Sequence, residues 1–231
     1  MARKGAVEGT VVVCAEQTAG RGRSGRPWLS VRGKGLYMSV ILRPVRSDLT
    51  LLSIASGLAV REAIQRGSRS AIQIKWPNDI MVAGRKIAGI LCESVFHGDK
   101  IGCVILGIGL NLNHLPEDFP PDLLDHAISL HSVSEEPVNS ESLLDALFAS
   151  LRKWYGRFTS GNDDAVLSGF SEHSVFSKGE TVRVTNTEGE IRGTYGGLDM
   201  RGGLILTIRG GQRIFFDASV RSVNPRGGAK C

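Results

Sequence analysis

A glycine- and arginine-rich segment between two apolar runs is the feature that most limits the folds open to this chain. Residues 17–35 are rich in glycine, contain Pro27 and show no apolar periodicity. Residues 10–16 and 36–42, on either side, are apolar runs of strand length. This pattern predicts two strands joined by a flexible loop.

The loop also fits the GxGxxG spacing of a dinucleotide-binding motif, with glycines at positions 20, 22 and 25. That motif has to open a helix. Here Pro27, Gly33 and Gly35 follow and lead into a strand instead. We therefore reject a Rossmann-type fold.

Positive charge is concentrated in the same region. The chain has 28 Lys and Arg against 23 Asp and Glu, a net charge of +5, but residues 17–47 contain no acidic residue and the rest of the chain is net negative. Guanidinium groups repel one another and bind phosphate or carboxylate oxygens in pairs. This concentration of charge predicts that the loop is a lid, which becomes ordered when it binds an anion. The alternatives are a solvated basic loop or an RNA-binding tract. The cations are Arg21, Arg23, Arg26, Arg32, Lys34, Arg43 and Arg46.

The following patterns predict an α+β fold, in which helices pack on a mixed, largely antiparallel sheet. Apolar spacing predicts helices over 49–66, 140–158 and within 163–173. Ser47 or Asp48 could cap the first helix. Residues 113–139 look irregular. Further strands are predicted at 72–76, 80–83, 86–96 and 101–112, with turns at 77–79, 84–85 and 97–99.

After Ser177 the pattern changes to short strands with glycine turns. Such runs predict a small barrel. We therefore expect a catalytic domain over 1–176, a barrel over 177–224 and a tail over 225–231. The strands of the barrel are predicted at 180–185, 190–195, 204–209, 213–217 and 220–223.

Other chemistries have little support in the sequence. The 5 histidines form no HExxH or paired-ligand pattern, so we expect no metal site. No apolar run approaches the roughly 18 residues of a membrane span, and no signal region follows Met1. We expect a cytoplasmic protein that does not bind membranes. Reduced packing residues are favoured over disulfides for Cys14, Cys92, Cys103 and Cys231, which show no CxxC spacing.

Four short motifs follow one another with ordinary gaps. They are EQTAGRGRSGRPW at 16–28, KWPND at 75–79, RKIAGIL at 85–91 and GIGLNLN at 107–113. Each is weak alone, but the ordered set closely resembles the biotin protein ligase family. The strands after Ser177 resemble the SH3-like C-terminal barrel of that family, so the resemblance covers almost the whole chain.

The resemblance implies an ATP-dependent reaction in two steps. Biotin and ATP with Mg²⁺ give biotinyl-5′-AMP and pyrophosphate, and a lysine of a biotin carboxyl carrier protein then takes the biotinyl group. The family's biotin-binding positions are matched by Gln17, Gly20, Arg21, Gly22, Arg23, Lys86 and Gly89. Its ATP-binding positions are matched by Arg26, Trp28, Lys75, Asn78 and Asn111.

The expected catalytic groups are Lys86, Arg21 and Arg23. A carboxylate that attacks the α-phosphorus brings two anions together, so cations have to offset their repulsion. Lys86 could bridge the two, although a hairpin lysine is unremarkable in isolation. In the second step Asp79 could orient or deprotonate the carrier's lysine, or it could merely stabilise its turn.

Five further side chains have a functional or a structural interpretation. Trp28 offers a flat face for adenine, whereas Trp76, on the apolar side of its strand, is favoured as a core residue. Lys75 could meet phosphate or merely water. Asn78 and Asn111 stand where strands end and could equally be ordinary turn residues.

The start of the chain departs from the family pattern. The family's catalytic domain opens with a strand and a helix bearing a Ser-Thr-Asn segment, and nothing here matches it. Residues 2–5 resemble the end of that helix, so we expect the domain to lack its first strand and helix. We also expect weakened biotin affinity and an exposed apolar seam. With no helix-turn-helix before the first strand, specific DNA binding is not expected.

Two rival functions stay open from the sequence. A lipoate–protein ligase would share the fold and the acyl transfer, although the KWPND and RKIAGI segments and the barrel favour biotin. A non-enzymatic RNA-binding module would use the arginine loop and would show steeply salt-dependent affinity. The sequence leaves open the carrier's identity and whether the protein forms a homodimer.

Overall fold

Two antiparallel sheets follow one another along the chain. The structure is a computed structural model and describes residues 1–46, 48–134 and 138–223. Ser47, one of the two expected helix caps, lies outside these residues, as does the tail predicted at 225–231, which includes Cys231.

The first sheet has six strands in the spatial order β1-β2-β6-β5-β4-β3. They are β1 (Val11–Cys14), β2 (Gly35–Leu42), β3 (Ile72–Lys75), β4 (Asp79–Val82), β5 (Arg85–His97) and β6 (Lys100–Asn111). We expected a mixed sheet, but all of these neighbouring strands are antiparallel. The reason is that short turns connect β3 through β6, and such turns join antiparallel neighbours. Within residues 1–46, 48–134 and 138–223, parallel pairing occurs as two isolated bridges, Ile74 to Ser174 and Lys86 to Ala127.

Helices cover one face of this sheet. They are α1 (Leu49–Gln65), α2 (Leu130–Ser134), α3 (Ser140–Thr159) and α4 (Asp163–His173). Helix α1 packs on β3, β4 and β5 and against α3 and α4. None of the helices in the described ranges is long and apolar enough to cross a lipid bilayer.

The helix starts show how local sequence sets their boundaries. Helices α3 and α4 follow Asn139 and Asn162, whose side-chain oxygens accept hydrogen bonds from backbone amides of the first turn. Asp48 stands at the N-cap of α1 but makes no such bond. It accepts a hydrogen bond from Arg46 instead, so the expected capping role of Asp48 is wrong.

Strand β1 lies at the edge of the sheet. We expected it to be buried, and this expectation is wrong. The strand pairs with β2 only among the described strands. Val12 and Val13 are 43% and 47% exposed. An apolar run does not reveal which strand will form the edge, because edge and central strands can share one composition.

An apolar groove of about 360 Å³ lies between β1 and α3. Its apolar side chains are those of Val11, Val40, Leu42, Leu106, Phe148 and Leu151.

The turn between β4 and β5 is one residue earlier than predicted. Val82 pairs with Arg85, so the turn residues are Ala83 and Gly84. Both have positive φ angles, 48° and 77°. A type I′ turn needs positive φ at both central residues, and this requirement places the turn on Gly84 and the residue before it.

The second sheet confirms the five strands predicted after Ser177. They are β7 (Thr181–Asn186), β8 (Gly189–Leu198), β9 (Leu204–Ile208), β10 (Gly211–Phe215) and β11 (Ser219–Ser222), in the spatial order β10-β9-β8-β7-β11. Trp76 is buried and donates from its indole Nε1 to the carbonyl of Gly202, 2.9 Å away. The favoured core role of Trp76 is therefore confirmed, and one buried cluster includes side chains of both sheets.

Candidate active site

A cavity of about 510 Å³ lies against the first sheet. Alternation along β6 explains its position, because successive side chains of a strand point to opposite faces. Leu106, Ile108 and Leu110 are buried in the core beneath the helices. The intervening residues Gly107, Gly109 and Asn111 line the cavity on the other face.

A pair of glycines forms the floor of the cavity. Gly89 on β5 and Gly109 on β6 are direct cross-strand partners. A methyl group on Gly109 would come within 2.5 Å of the Trp28 indole, and one on Gly89 within 3.0 Å. The indole therefore lies flat on a surface that only glycine can provide. Its Nε1 is buried and has no hydrogen-bond partner in the structure.

The arginine-rich loop folds back on itself as a small hairpin. Trp28 N donates to Gly20 O at 2.9 Å, and Gly22 N donates to Arg26 O at 2.7 Å. A methyl group on Gly20 would lie 2.8 Å from the carbonyl oxygen of Trp28, so this glycine is needed for the close approach. The loop places its arginines along the wall of the cavity.

A β-bulge turns Lys86 toward the cavity. Ala88 and Ile90 on the same strand face the core, and simple alternation would send Lys86 there too. The register between β4 and β5 shifts by one residue. Ile80 pairs with Ala88, whereas Met81 pairs with Lys86. A slip of one residue exchanges the two faces of a strand, and the lysine therefore reaches the site.

Three cations meet three carboxylates at this cavity. Lys86 Nζ lies 2.5 Å from Asp79 Oδ1 and 5.3 Å from the centre of the Trp28 ring. The other two predicted catalytic cations, from the loop, form ion pairs as well: Arg21 with Glu93 at 3.2 Å, and Arg23 with Asp217. The site thus holds cations suited to anionic substrates, and these three are each paired with a carboxylate of the protein.

Most residues predicted from the sequence come together here. Gly20 and Lys75 are not among the residues that line the cavity. Gly20 shapes the loop, and Lys75 stands at the end of β3, opposite Asp79 in the strand register. Those that line the cavity are Gln17, Arg21, Gly22, Arg23, Arg26, Trp28, Asn78, Asp79, Lys86, Gly89 and Asn111.

The two asparagines are held by main-chain contacts. Asn78 Nδ2 donates to Ile90 O at 2.8 Å, and Asn111 Nδ2 donates to Ile128 O at 3.1 Å. In each case the amide nitrogen is occupied, which fixes the orientation of the side-chain oxygen. Asn111 therefore presents a defined acceptor at the cavity wall, while Asn78 Oδ1 accepts from Arg23 Nη1 at 3.2 Å.

A second wall of the cavity was missed from the sequence. Residues 113–139 looked irregular, but they contain a 3₁₀ turn at Pro116–Asp118 as well as α2. Lys86 N donates to His126 O at 2.7 Å, and Ile128 N donates to Lys86 O at 2.9 Å. This bridge holds a wall segment beside Lys86, and no residue pattern in the sequence marks it. The lining residues from the segment are Phe119, Leu123, His126 and Ala127.

Comparison with known proteins agrees with this geometry. A family model, described as the biotin/lipoate A/B protein ligase family, matches residues 3–111. The bifunctional ligase/repressor BirA of Bacillus subtilis is 34% identical over 231 residues, covering 95% of this chain and 68% of that protein. The biotin–acetyl-CoA-carboxylase ligase of Paracoccus denitrificans is 30% identical over 220 residues, covering 90% and 88%.

A solved structure extends the likeness to three dimensions. The biotin protein ligase of Aquifex aeolicus in complex with biotin and ATP superimposes with a TM-score of 0.83 at 28% identity, covering 94% of this chain and 91% of that one. The fold is thus that of a protein ligase whose solved complex contains biotin and ATP. The chain belongs to the biotin/lipoate A/B protein ligase family, and within it to the biotin protein ligases.

Proposed function

We propose that this chain is an ATP-dependent biotin–carrier protein ligase. It activates biotin as biotinyl-5′-AMP with release of pyrophosphate, and then transfers the biotinyl group to a lysine of a biotin carboxyl carrier protein. The observation that carries the proposal is the convergence of Lys86, Arg21 and Arg23 on one glycine-floored cavity. The names of the similar proteins support the choice of biotin.

In the first step the biotin carboxylate attacks the α-phosphorus of ATP, and the bond to pyrophosphate breaks. Two anionic groups approach each other, and negative charge grows on the transferring phosphoryl group. Lys86 is placed to offset this charge as a compact cation beside the glycine floor. Arg21 and Arg23 bind phosphate or carboxylate oxygens from the loop. Mg²⁺ enters with the nucleotide as part of the substrate.

The floor and the loop divide the remaining roles. Gly89 leaves space for the Trp28 indole and for Lys86, and its contact with biotin stays a prediction. Trp28 offers its exposed face to the adenine, with Arg26, Asn78 and Asn111 around the nucleotide. Gln17 and Gly22 contact biotin from the loop, while Gly20 acts by closing the loop. For Lys75, outside the cavity lining, a phosphate contact stays a prediction.

The intermediate is a mixed anhydride that water would hydrolyse. The loop hairpin covers the cavity and excludes bulk water until the carrier's lysine arrives. That amine attacks the biotinyl carbonyl and AMP leaves. Asp79 is our candidate for orienting the amine, since its carboxylate lies in the cavity wall beside Lys86.

The finer organisation is also part of the proposal. The second sheet closes into an SH3-like barrel, and the protein works in the cytoplasm. Weakened biotin affinity stays a prediction that calorimetry can test. Full affinity would contradict it.

The decisive experiment is mass spectrometry of a biotin carrier domain after incubation with this chain, ATP and biotin. We expect one biotinyl group on one lysine. Pyrophosphate release and adenylate formation with lipoate but not with biotin would assign the chain to the lipoate ligases instead. ATP-insensitive and strongly salt-dependent RNA binding without adenylate formation would favour an RNA-binding module.

A further inference from the structure

Arg23 links the loop to both sheets. Its Nη1 donates to Asn78 Oδ1 at 3.2 Å, and its Nη2 contacts Asp217 Oδ1. Asn78 belongs to the turn between β3 and β4, and Asp217 belongs to the turn between β10 and β11. One guanidinium of the proposed catalytic set is therefore held between the first sheet and the second, which the sequence analysis did not foresee.

Both anchors of Arg23 are themselves fixed. Asn78 cannot turn freely, because its amide nitrogen is bonded to the carbonyl of Ile90. The second sheet is held against the first by the buried Trp76, which donates to the carbonyl of Gly202. Asp217 therefore contacts Arg23 from a sheet that is packed against the first sheet.

The contact leaves donors of Arg23 available. A guanidinium has five N–H donors, and the two contacts engage one on each of Nη1 and Nη2. Arg23 itself lines the cavity. A long side chain that is already oriented loses less freedom when it binds an anion, and correct orientation of a charged group is worth a large factor in rate.

We propose that Asp217 is a positioning residue for Arg23, so that the second sheet completes the active site. This inference rests on the proposed function. The carboxylate acts through the arginine and does not touch the reacting atoms. Its side chain is 77% exposed, and exposed ion pairs contribute little to folding stability. Loss of Asp217 should therefore lower activity without unfolding the protein.

The kinetic test measures adenylate formation with biotin and subsaturating ATP. We expect Asp217→Asn to lower kcat/KM about tenfold, while Asp217→Glu recovers most of the activity. Salt screens an exposed ion pair. The difference in kcat/KM between wild type and Asp217→Asn should therefore become smaller at high salt. The control is Glu190→Gln, which removes a carboxylate of the same sheet that pairs with Arg183 and Arg192 instead, and it should leave the rate unchanged.

A second measurement does not depend on catalysis. Trypsin should cut the loop after Arg21 faster in Asp217→Asn than in wild type, without any substrate present. In an Arg23→Ala background, Asp217→Asn should cause no further acceleration, because the partner is gone. If wild type forms no adenylate with biotin or lipoate, the proposed function fails. Comparing trypsin cleavage of the single and double variants still tests the contact between Asp217 and Arg23.

Several outcomes would overturn the proposal. Tighter ATP binding or a faster rate in Asp217→Asn would make the carboxylate a competitor of the substrate. An unchanged rate, or equal acceleration of cleavage with and without Arg23, would show that Asp217 does not position this arginine. Failure of Asp217→Glu to recover activity would also count against it.

Discussion

The two faces of the first sheet are built from the same strands but follow opposite rules. On the helix side of β6, Leu106, Ile108 and Leu110 fill space and are almost completely buried. On the cavity side, Gly107 and Gly109 supply almost no volume, and cations surround them. The helix face depends on the side chains that fill it, whereas the cavity face depends on positions that have no side chain. Substitutions should therefore damage stability on one face and chemistry on the other.

The largest expected effect is on the cavity face. Lys86→Ala should lower the rate of adenylate formation about 100- to 1,000-fold, as loss of a group that stabilises transition-state charge does. The melting temperature should change little, because the side chain is partly exposed and Asp79 can be solvated. Pyrophosphate release and thermal unfolding measure the two effects. Lys100→Ala, in the hairpin between β5 and β6, is the matched control, and equal activity of both variants would remove the main catalytic assignment.

The next effect belongs to the helix face. Leu110→Ala should lower the free energy of unfolding by about 2–5 kcal/mol, because it leaves a cavity in a close-packed core. Leu110 is 1% exposed and is not among the residues that line the active-site cavity, so its side chain meets the core and not the substrates. Urea denaturation gives the stability change. The kcat/KM of the protein that is still folded should stay close to that of wild type, and a large kinetic loss would mean that the two faces are coupled.

How far the sequence predicts each face differs as well. The helix face follows from periodicity, and α1, α3, α4 and the strands of the second sheet lie close to their predicted bounds. Periodicity works there because the apolar side chains that produce the pattern also form the core. It failed for β1, because burial of a strand depends on its neighbours and not on its own residues.

The cavity face was predicted in part, through the four ordered motifs. What the motifs could not give is the physical arrangement. The bulge that turns Lys86 outward depends on the pairing of two strands, and the wall segment containing His126 is recruited by backbone hydrogen bonds. The contact between Arg23 and Asp217 joins residues 194 positions apart. None of these leaves a local pattern in the sequence.

A smaller effect should separate two glycines on the cavity face. A methyl group on Gly109 would overlap the Trp28 indole, whereas one on Gly107 would make its closest contact at 3.5 Å, an ordinary van der Waals distance. Gly109→Ala should therefore cost about 1–3 kcal/mol of overpacking, which would appear as displaced Trp28 and weaker substrate binding. Gly107→Ala should be milder. Tryptophan fluorescence and biotin titration compare them, and indistinguishable variants would contradict the proposed floor.

The smallest effect concerns the exposed ion pair between Arg21 and Glu93. Both side chains are largely accessible, at 67% and 43%, so solvent screens the pair and its contribution to stability should stay within about 1 kcal/mol. Glu93 lies on the same sheet as the cavity floor, whereas Asp217 lies on the second sheet. In the described contacts Arg21 has no further side-chain partner that would fix its orientation, as Asn78 does for Arg23. Glu93→Gln should therefore change kcat/KM less than about twofold, and less still in high salt. If this variant lost as much activity as Asp217→Asn, the loop arginines would depend on charge balance at the cavity and not on a link between the two sheets.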